Sequence, residues 1–302
     1  MTGGHTPVTW LAVLCALVCA AANGAVSVLQ RQANLDEGGQ QVTGRWSKLR
    51  VLRSRTWWAG SAALALAASA QAAALGFGSL SLVQPLLASE LLFSLVIGSV
   101  VFRRGPGRRT WAAFTGLAVG LALFLASTHP QPGGRSAPAS HWAVVGAAVA
   151  GTVLVLVGTA WRVHGAPRAA LLGCAAATGF ATTAALIKEV LTRAGSAGFA
   201  ELWVDWPVYA FAATGGLSFL LFQLTLRAGT LRASQPALTL VDALVSLVLG
   251  HYLFGDRLSL GLRAVPAAAG CALIVAGVVG LSRSGDLDSG WDSPDAPRVR
   301  KG

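Results

Sequence analysis

Long apolar runs broken by short polar clusters run through this chain from end to end. A helix needs about 20 apolar residues to cross a bilayer at about 1.5 Å of rise each. Nine runs meet that length: 8–30, 56–77, 80–102, 110–128, 142–161, 168–191, 206–227, 233–254 and 263–282. Trp10, Trp57, Trp58, Trp111, Trp142, Trp161 and Trp206 sit at their edges, where an indole favours the headgroup level. Spans two and three are parted only by Gly78–Ser79, and spans seven and eight only by Ala228–Gly229–Thr230. Each pair is therefore predicted to be a tight antiparallel hairpin. Residues 1–9 carry no Lys or Arg, so the first run lacks the basic flank of a signal peptide and is expected to be a retained helix.

The polar segments complete the outline. Residues 31–55 form a basic loop of uncertain structure, 129–141 a Pro/Gly/Ser-rich linker expected to be flexible, and 283–302 a tail expected to be disordered. Only 12% of the 302 residues are charged and 54% are hydrophobic, which is too little charge to cover a water-soluble fold. The net charge of +11 lies in clusters between apolar runs rather than on a folded basic face, so no nucleic-acid partner is expected. If span one ends inside, the inner segments hold 18 of the 23 Lys and Arg. That bias predicts an external N-terminus and a cytoplasmic C-terminus.

Self-similarity adds an architecture. Residues 78–85 read Gly-Ser-Leu-Ser-Leu-Val-Gln-Pro and residues 229–236 read Gly-Thr-Leu-Arg-Ala-Ser-Gln-Pro. Downstream, Glu90, Ser94, Gly98 and Phe102 repeat as Asp242, Ser246, Gly250 and Phe254. Span three runs inward and span eight outward, so the two halves are expected in inverted topology, a construction common in secondary transporters. The expected fold class is an all-α polytopic membrane protein. A first four-helix repeat occupies 1–128, a linker and crossing helix 129–167, and a second repeat 168–282. Pro is tolerated in a first helical turn, so spans three and eight need no kink at their Gln-Pro pairs.

Candidate chemistry sits inside the spans. Glu90 lies about ten residues into span three, roughly 15 Å deep, and Asp242 reaches a similar depth from the opposite face. A carboxyl at mid-bilayer costs a few kcal/mol or more, so such residues face a cavity or a partner. Desolvation and a second carboxyl nearby favour the protonated form, and a group poised in that way can exchange a proton for a cationic substrate. A structural ion-pair or hydrogen-bond role is the alternative. Asn23, Ser27 and Gln30 share one face of span one; with Gln71 and Gln223 they are candidate cavity lining, and Asn23 and Gln30 equally fit interhelical hydrogen bonding. Lys188 fits a pathway residue, a counter-charge to a carboxylate, or a side chain reaching for the interface. Ser94/Gly98, Ser246/Gly250, Gly116/Gly120 and Gly270/Gly277 are read as close-packing positions, and His251 as a partnered polar group at a span edge. Cys15, Cys19, Cys174 and Cys271 show no metal spacing. No metal site, cofactor or catalytic motif of an enzyme is expected.

The chain also resembles the drug/metabolite transporter superfamily. The segment from Trp57-Trp58-Ala59-Gly60 to Leu82-Val83-Gln84-Pro85-Leu86, then Phe102, together with Val28-Leu29-Gln30, looks like its magnesium-transporter-like branch. Gly255-Asp256-Arg257-Leu258 is similar to the Gly-Glu-Arg-Leu that often follows this helix in the superfamily. The resemblance implies a secondary carrier working by alternating access, driven by an ion or proton gradient or running as an exchanger. The expectation is thus a plasma-membrane transporter of a small cationic or zwitterionic metabolite or drug, with Glu90 and Asp242 as coupling carboxylates. A magnesium or other divalent-cation carrier and a non-transporting membrane scaffold are the alternatives. The partners expected are the bilayer and the small-molecule or ion substrate, with a homodimer left open.

Overall fold

The computed structural model describes residues 6–37, 55–101, 107–133, 137–197, 205–228, 231–257 and 264–283. They form ten helices: α1 Thr6–Glu37, α2 Arg55–Phe77, α3 Leu80–Leu87, α4 Glu90–Val101, α5 Arg108–Thr128, α6 Ala139–Ala160, α7 Ala166–Ala197, α8 Trp206–Ala228, α9 Leu231–Phe254 and α10 Ala264–Arg283. Among the described residues nine spans, with α3 and α4 together making the third, are long and apolar enough to cross a membrane. The chain is an all-helical protein of that kind.

Small residues set the packing. In α7, Ala169, Ala175, Ala176, Ala177, Ala181 and Ala185 are all fully buried, so neighbouring backbones come close. Of its apolar window 67% is buried, against 11% for α6, which makes α7 a central helix and α6 a peripheral one. α7 packs on α6, α8 and α9, and α1 packs on α2, α3 and α4. α5 lies against α10 on a glycine seam. A Cβ on Gly120 would stand 2.7 Å from the Ile274 nitrogen, and one on Gly277 2.6 Å from the Leu117 nitrogen. Gly270 packs likewise against Phe124, but Gly116 faces open space and takes no part.

One end of the bundle gathers the Gly78 turn, the end of α5 and the end of α9. Gly78 abuts Ala12 of α1, Ser81 bonds Asp256, and Gln131 pairs with Arg257 in an isolated antiparallel bridge. Trp142 meets the rings of Trp206 and Phe254 edge-on, at 5.6 and 6.4 Å between centroids.

The structure corrects several expectations. The third span is not continuous over 80–102: it breaks at Ala88–Ser89, between α3 and α4. The start of the linker is anchored rather than flexible, because Gln131 and Arg257 exchange two backbone hydrogen bonds of 3.1 Å each. α1 runs to Glu37, into the segment read as a loop, and α7 extends beyond 168–191 at both ends. The predicted disorder of the tail falls on residues which, beyond Arg283, lie outside the described ones.

Candidate functional site

The Glu90 position is built by the break beneath it. Pro85 sits at the sixth position of α3 and offers no N–H to the helical ladder. At the next turn the Leu86 carbonyl accepts both the Ser89 N–H at 3.0 Å and the Ser89 hydroxyl at 2.6 Å. In a continuous helix that carbonyl would take the Glu90 N–H; a serine that bonds its own backbone competes with this ladder. Ala88, Ser89, Leu91 and Leu92 all bond three residues back instead of four. Glu90 therefore opens a new helix and is half-buried there.

Gly24 brings α1 to it. A Cβ there would lie 2.8 Å from the Ser94 nitrogen and 3.2 Å from the Glu90 carbonyl oxygen. This contact of backbones, one residue along from Asn23, sets the Asn23 carboxamide beside the Glu90 carboxylate, within reach of a hydrogen bond. Asn23 Nδ2 also lies 3.8 Å from Cys19 Sγ, and the Ser27 hydroxyl donates to the Asn23 carbonyl at 3.1 Å. Asp242, on the continuous helix α9, is half-buried and near enough to Glu90 for the two carboxylates to feel each other's charge. An apolar cleft of about 60 Å³ is lined by Pro85, Ala88 and Phe124 and by Thr239, Ala243 and Cys271; neither carboxylate lines it.

The structure thus brings together Glu90, Asp242 and Asn23 of the expected residues. Gln71 is half-buried on α2, which packs between α1 and α7. Gln223 is a correction: it lies exposed on α8 rather than lining a cavity. Gln30 lies within α1, but its side chain is outside the described residues. Lys188 is buried, and its amine donates to the Gly78 carbonyl and stands 5.5 Å over the Phe254 ring. Ser94 and the buried Gly98 lie on the α4 face that α1 approaches. Ser246 is fully buried. Gly250 has a narrower role than helix packing: a Cβ there would stand 2.5 Å from Ser81 Oγ and 2.6 Å from Asp256 Oδ2.

Two residues escaped the sequence reading. Gly24 carries a signal only in hindsight, as the glycine beside the one Asn of span one. Asp256 lies in the Gly255-Asp256-Arg257-Leu258 stretch just past a span, yet it is fully buried and accepts three hydrogen bonds. A second ionic group, Arg193 between Glu189 at 2.7 Å and Asp205 at 2.8 Å, joins the end of α7 to the start of α8. Among the described residues no group of three or more His, Cys, Asp or Glu converges as a metal site would.

No family model matches the sequence, and no solved structure matches it. An uncharacterized protein of Corynebacterium glutamicum (Cgl0250/cg0304) is 32% identical over 250 residues, spanning 80% of this chain and 84% of that protein. At that identity and coverage, the chain belongs to the same protein family as the Corynebacterium glutamicum protein.

Proposed function

We propose that this protein is a secondary active transporter of the plasma membrane, of the drug/metabolite type, that exchanges protons for a small cationic or zwitterionic compound. The observation that carries this reading is that Glu90 and Asp242, the matched acids of the two sequence repeats, are both half-buried within apolar helices and near enough to feel each other's charge. Two acids so placed are costly unless a proton or cation visits them. The packing supports two related halves: α1 holds α2, α3 and α4 much as α7 holds α8 and α9, and the sets meet where α3 packs on α9 and α5 on α10. The inverted repeat, with the Gly78 and Asp256 end outside and the Lys/Arg-rich loops inside, is part of this proposal.

The test uses sealed proteoliposomes loaded with a pH-sensitive dye and challenged with putrescine, choline, betaine and tetraphenylphosphonium in turn. The full chain should release protons with at least one of these probes. The Glu90→Gln/Asp242→Asn double variant should insert normally and show none. Full activity in the double variant overturns the role of the carboxylates. Proton-silent uptake of magnesium by the full chain would instead favour the divalent-cation alternative, for which one or two carboxylates can suffice.

A further inference from the structure

We propose that Asp256 is a releasable latch that closes one face of the bundle above the carboxylate pair. This rests on the transport reading and names its gate. Asp256 stands just past the end of α9, fully buried. Its Oδ2 accepts the Ser81 N–H and the Ser81 hydroxyl, each at 3.1 Å, and its Oδ1 accepts the Gly133 N–H at 3.3 Å. Three separate pieces of chain therefore meet on one carboxylate: the start of α3, the end of α9 and the segment that follows α5.

The surroundings are shaped for this contact. Gly255 adopts a left-handed φ of 68°, a conformation that glycine takes at no steric cost, and it turns the chain back after α9. The Asp256 N–H bonds the Gly250 carbonyl at 3.0 Å, and His251 Nδ1 lies 3.1 Å from the Asp256 carbonyl oxygen. Gly250 leaves the space that Ser81 and Asp256 fill. Lys188, reaching in from α7, donates to the Gly78 carbonyl at the same end of the bundle. Gln131 and Arg257 clip the segment from outside.

Three features make this a latch rather than a permanent weld. The Ser81 N–H belongs to the first turn of α3, where no carbonyl of its own helix is available to it. Asp256 caps that helix from the other half of the chain, at the end where the helix dipole favours an anion. On release, water can take over that N–H. A cavity of about 380 Å³, lined by Gln131, Pro132, Gly133, His251, Gly255 and Arg257, lies directly beside the latch and is roomy enough to admit water. Glu90 is nine residues below Ser81, roughly 14 Å further in at helical rise. Breaking the latch would open the path from this face to the carboxylates.

The test needs no knowledge of the substrate. Ser246→Cys places a reporter thiol at a fully buried position one helical turn from Asp242. A membrane-impermeant sulfonated methanethiosulfonate is applied to sealed vesicles of either orientation, and labelling of that cysteine is followed by peptide mass. Asn in place of Asp256 would offer one acceptor oxygen and an amide that meets a donor. Asp256→Asn should therefore speed labelling from the latch face about tenfold or more, the scale of one lost charge-assisted hydrogen bond. Should that variant fold poorly, a second keeps Asp256 in place. Gln131→Cys/Arg257→Cys joins a hydrogen-bonded antiparallel pair, about 5.5 Å apart at Cα and within disulfide range. Oxidation should suppress labelling from the latch face, and reduction should restore it. Equal labelling in the latched, unlatched and locked proteins overturns the gate even if proton flux is found. Labelling that changes as expected without Glu90-dependent proton flux upholds the opening and removes the transport reading instead.

Discussion

The Glu90 and Asp242 segments start from the same Gln-Pro pair and end on the same type of group, yet they are built differently. From Pro85 to Glu90 there are five residues, and the helix breaks on the way; from Pro236 to Asp242 there are six, and α9 runs unbroken. Six α-helical residues rise about 9 Å and turn about 600°. Five residues, of which about three are tightened to 3-10 geometry, also rise about 9 Å and turn about 560°. The break thus restores the full depth of the missing residue and part of its rotation. Measured from its proline, each carboxylate therefore comes out at about the same rise although one segment is a residue shorter. The two sides differ again in their supports. Glu90 has a partner from α1, Asn23, delivered by the Gly24 crossing, while Asp242 stands on a single long helix.

The largest effect expected from breaking this comparison is at the crossing. Gly24→Leu puts side-chain atoms where the Ser94 nitrogen would already be 2.8 Å from a Cβ. Backbone cannot move aside as a flexible side chain can, so α1 and α4 must separate, at about 1–3 kcal/mol or more. The Asn23–Glu90 bond should go with it. Thermal unfolding in detergent should show a clear loss of stability, and the proton flux should disappear. Gly116→Leu is the control, since a Cβ there meets nothing within 4 Å; it should unfold like the parent. Equal losses at the two sites would mean that the α1–α4 crossing has no special place in the molecule.

That pair of glycines also marks what a sequence can and cannot disclose. The nine spans were legible because hydropathy over about 20 residues is a one-dimensional property. Glu90 and Asp242 were legible as candidates because an acid inside such a run is costly wherever it lies. Gly24 and Gly116 both sit in apolar helices, and only the neighbour that each meets tells them apart. The break at Ala88–Ser89 was hidden for a related reason. It depends on which donor captures the Leu86 carbonyl, and Ser89 wins it through local geometry rather than through composition. Asp256 falls just after a span, where hydropathy expects a solvated loop charge, so its burial against Ser81 and Gly133 could not be read from its position. Gln223 failed in the opposite sense, since a polar residue in a span need not face inward.

A smaller effect is expected from removing the support on one side only. Asn23→Ala deletes the Glu90 hydrogen bond without adding bulk. A hydrogen bond to a charged group is worth about 1.5–3 kcal/mol, so the proton-coupled flux should fall roughly tenfold or more while the protein remains folded. Asn23→Gln keeps the carboxamide on a longer stem and should recover part of the loss. If Asn23→Ala leaves the flux unchanged while Glu90→Gln abolishes it, Glu90 works without its α1 partner and the two carboxylates are more alike than their surroundings imply.

The smallest effect should come from making the two segments alike. Inserting one alanine between Ala88 and Ser89, together with Ser89→Ala, gives the first half the six-residue spacing of the second. It also frees the Leu86 carbonyl for the helical ladder. The third span should then run as one helix, with Glu90 at its present depth and rotated by about 40°. Hydrogen exchange at the amides near Glu90 should slow, because a continuous ladder replaces the tightened turn. Proton flux should fall a few-fold rather than vanish, since a glutamate stem can absorb part of such a rotation. Complete loss of flux with a healed helix would give the break a second role beyond placing the carboxylate, as a hinge that must stay broken for the third span to move.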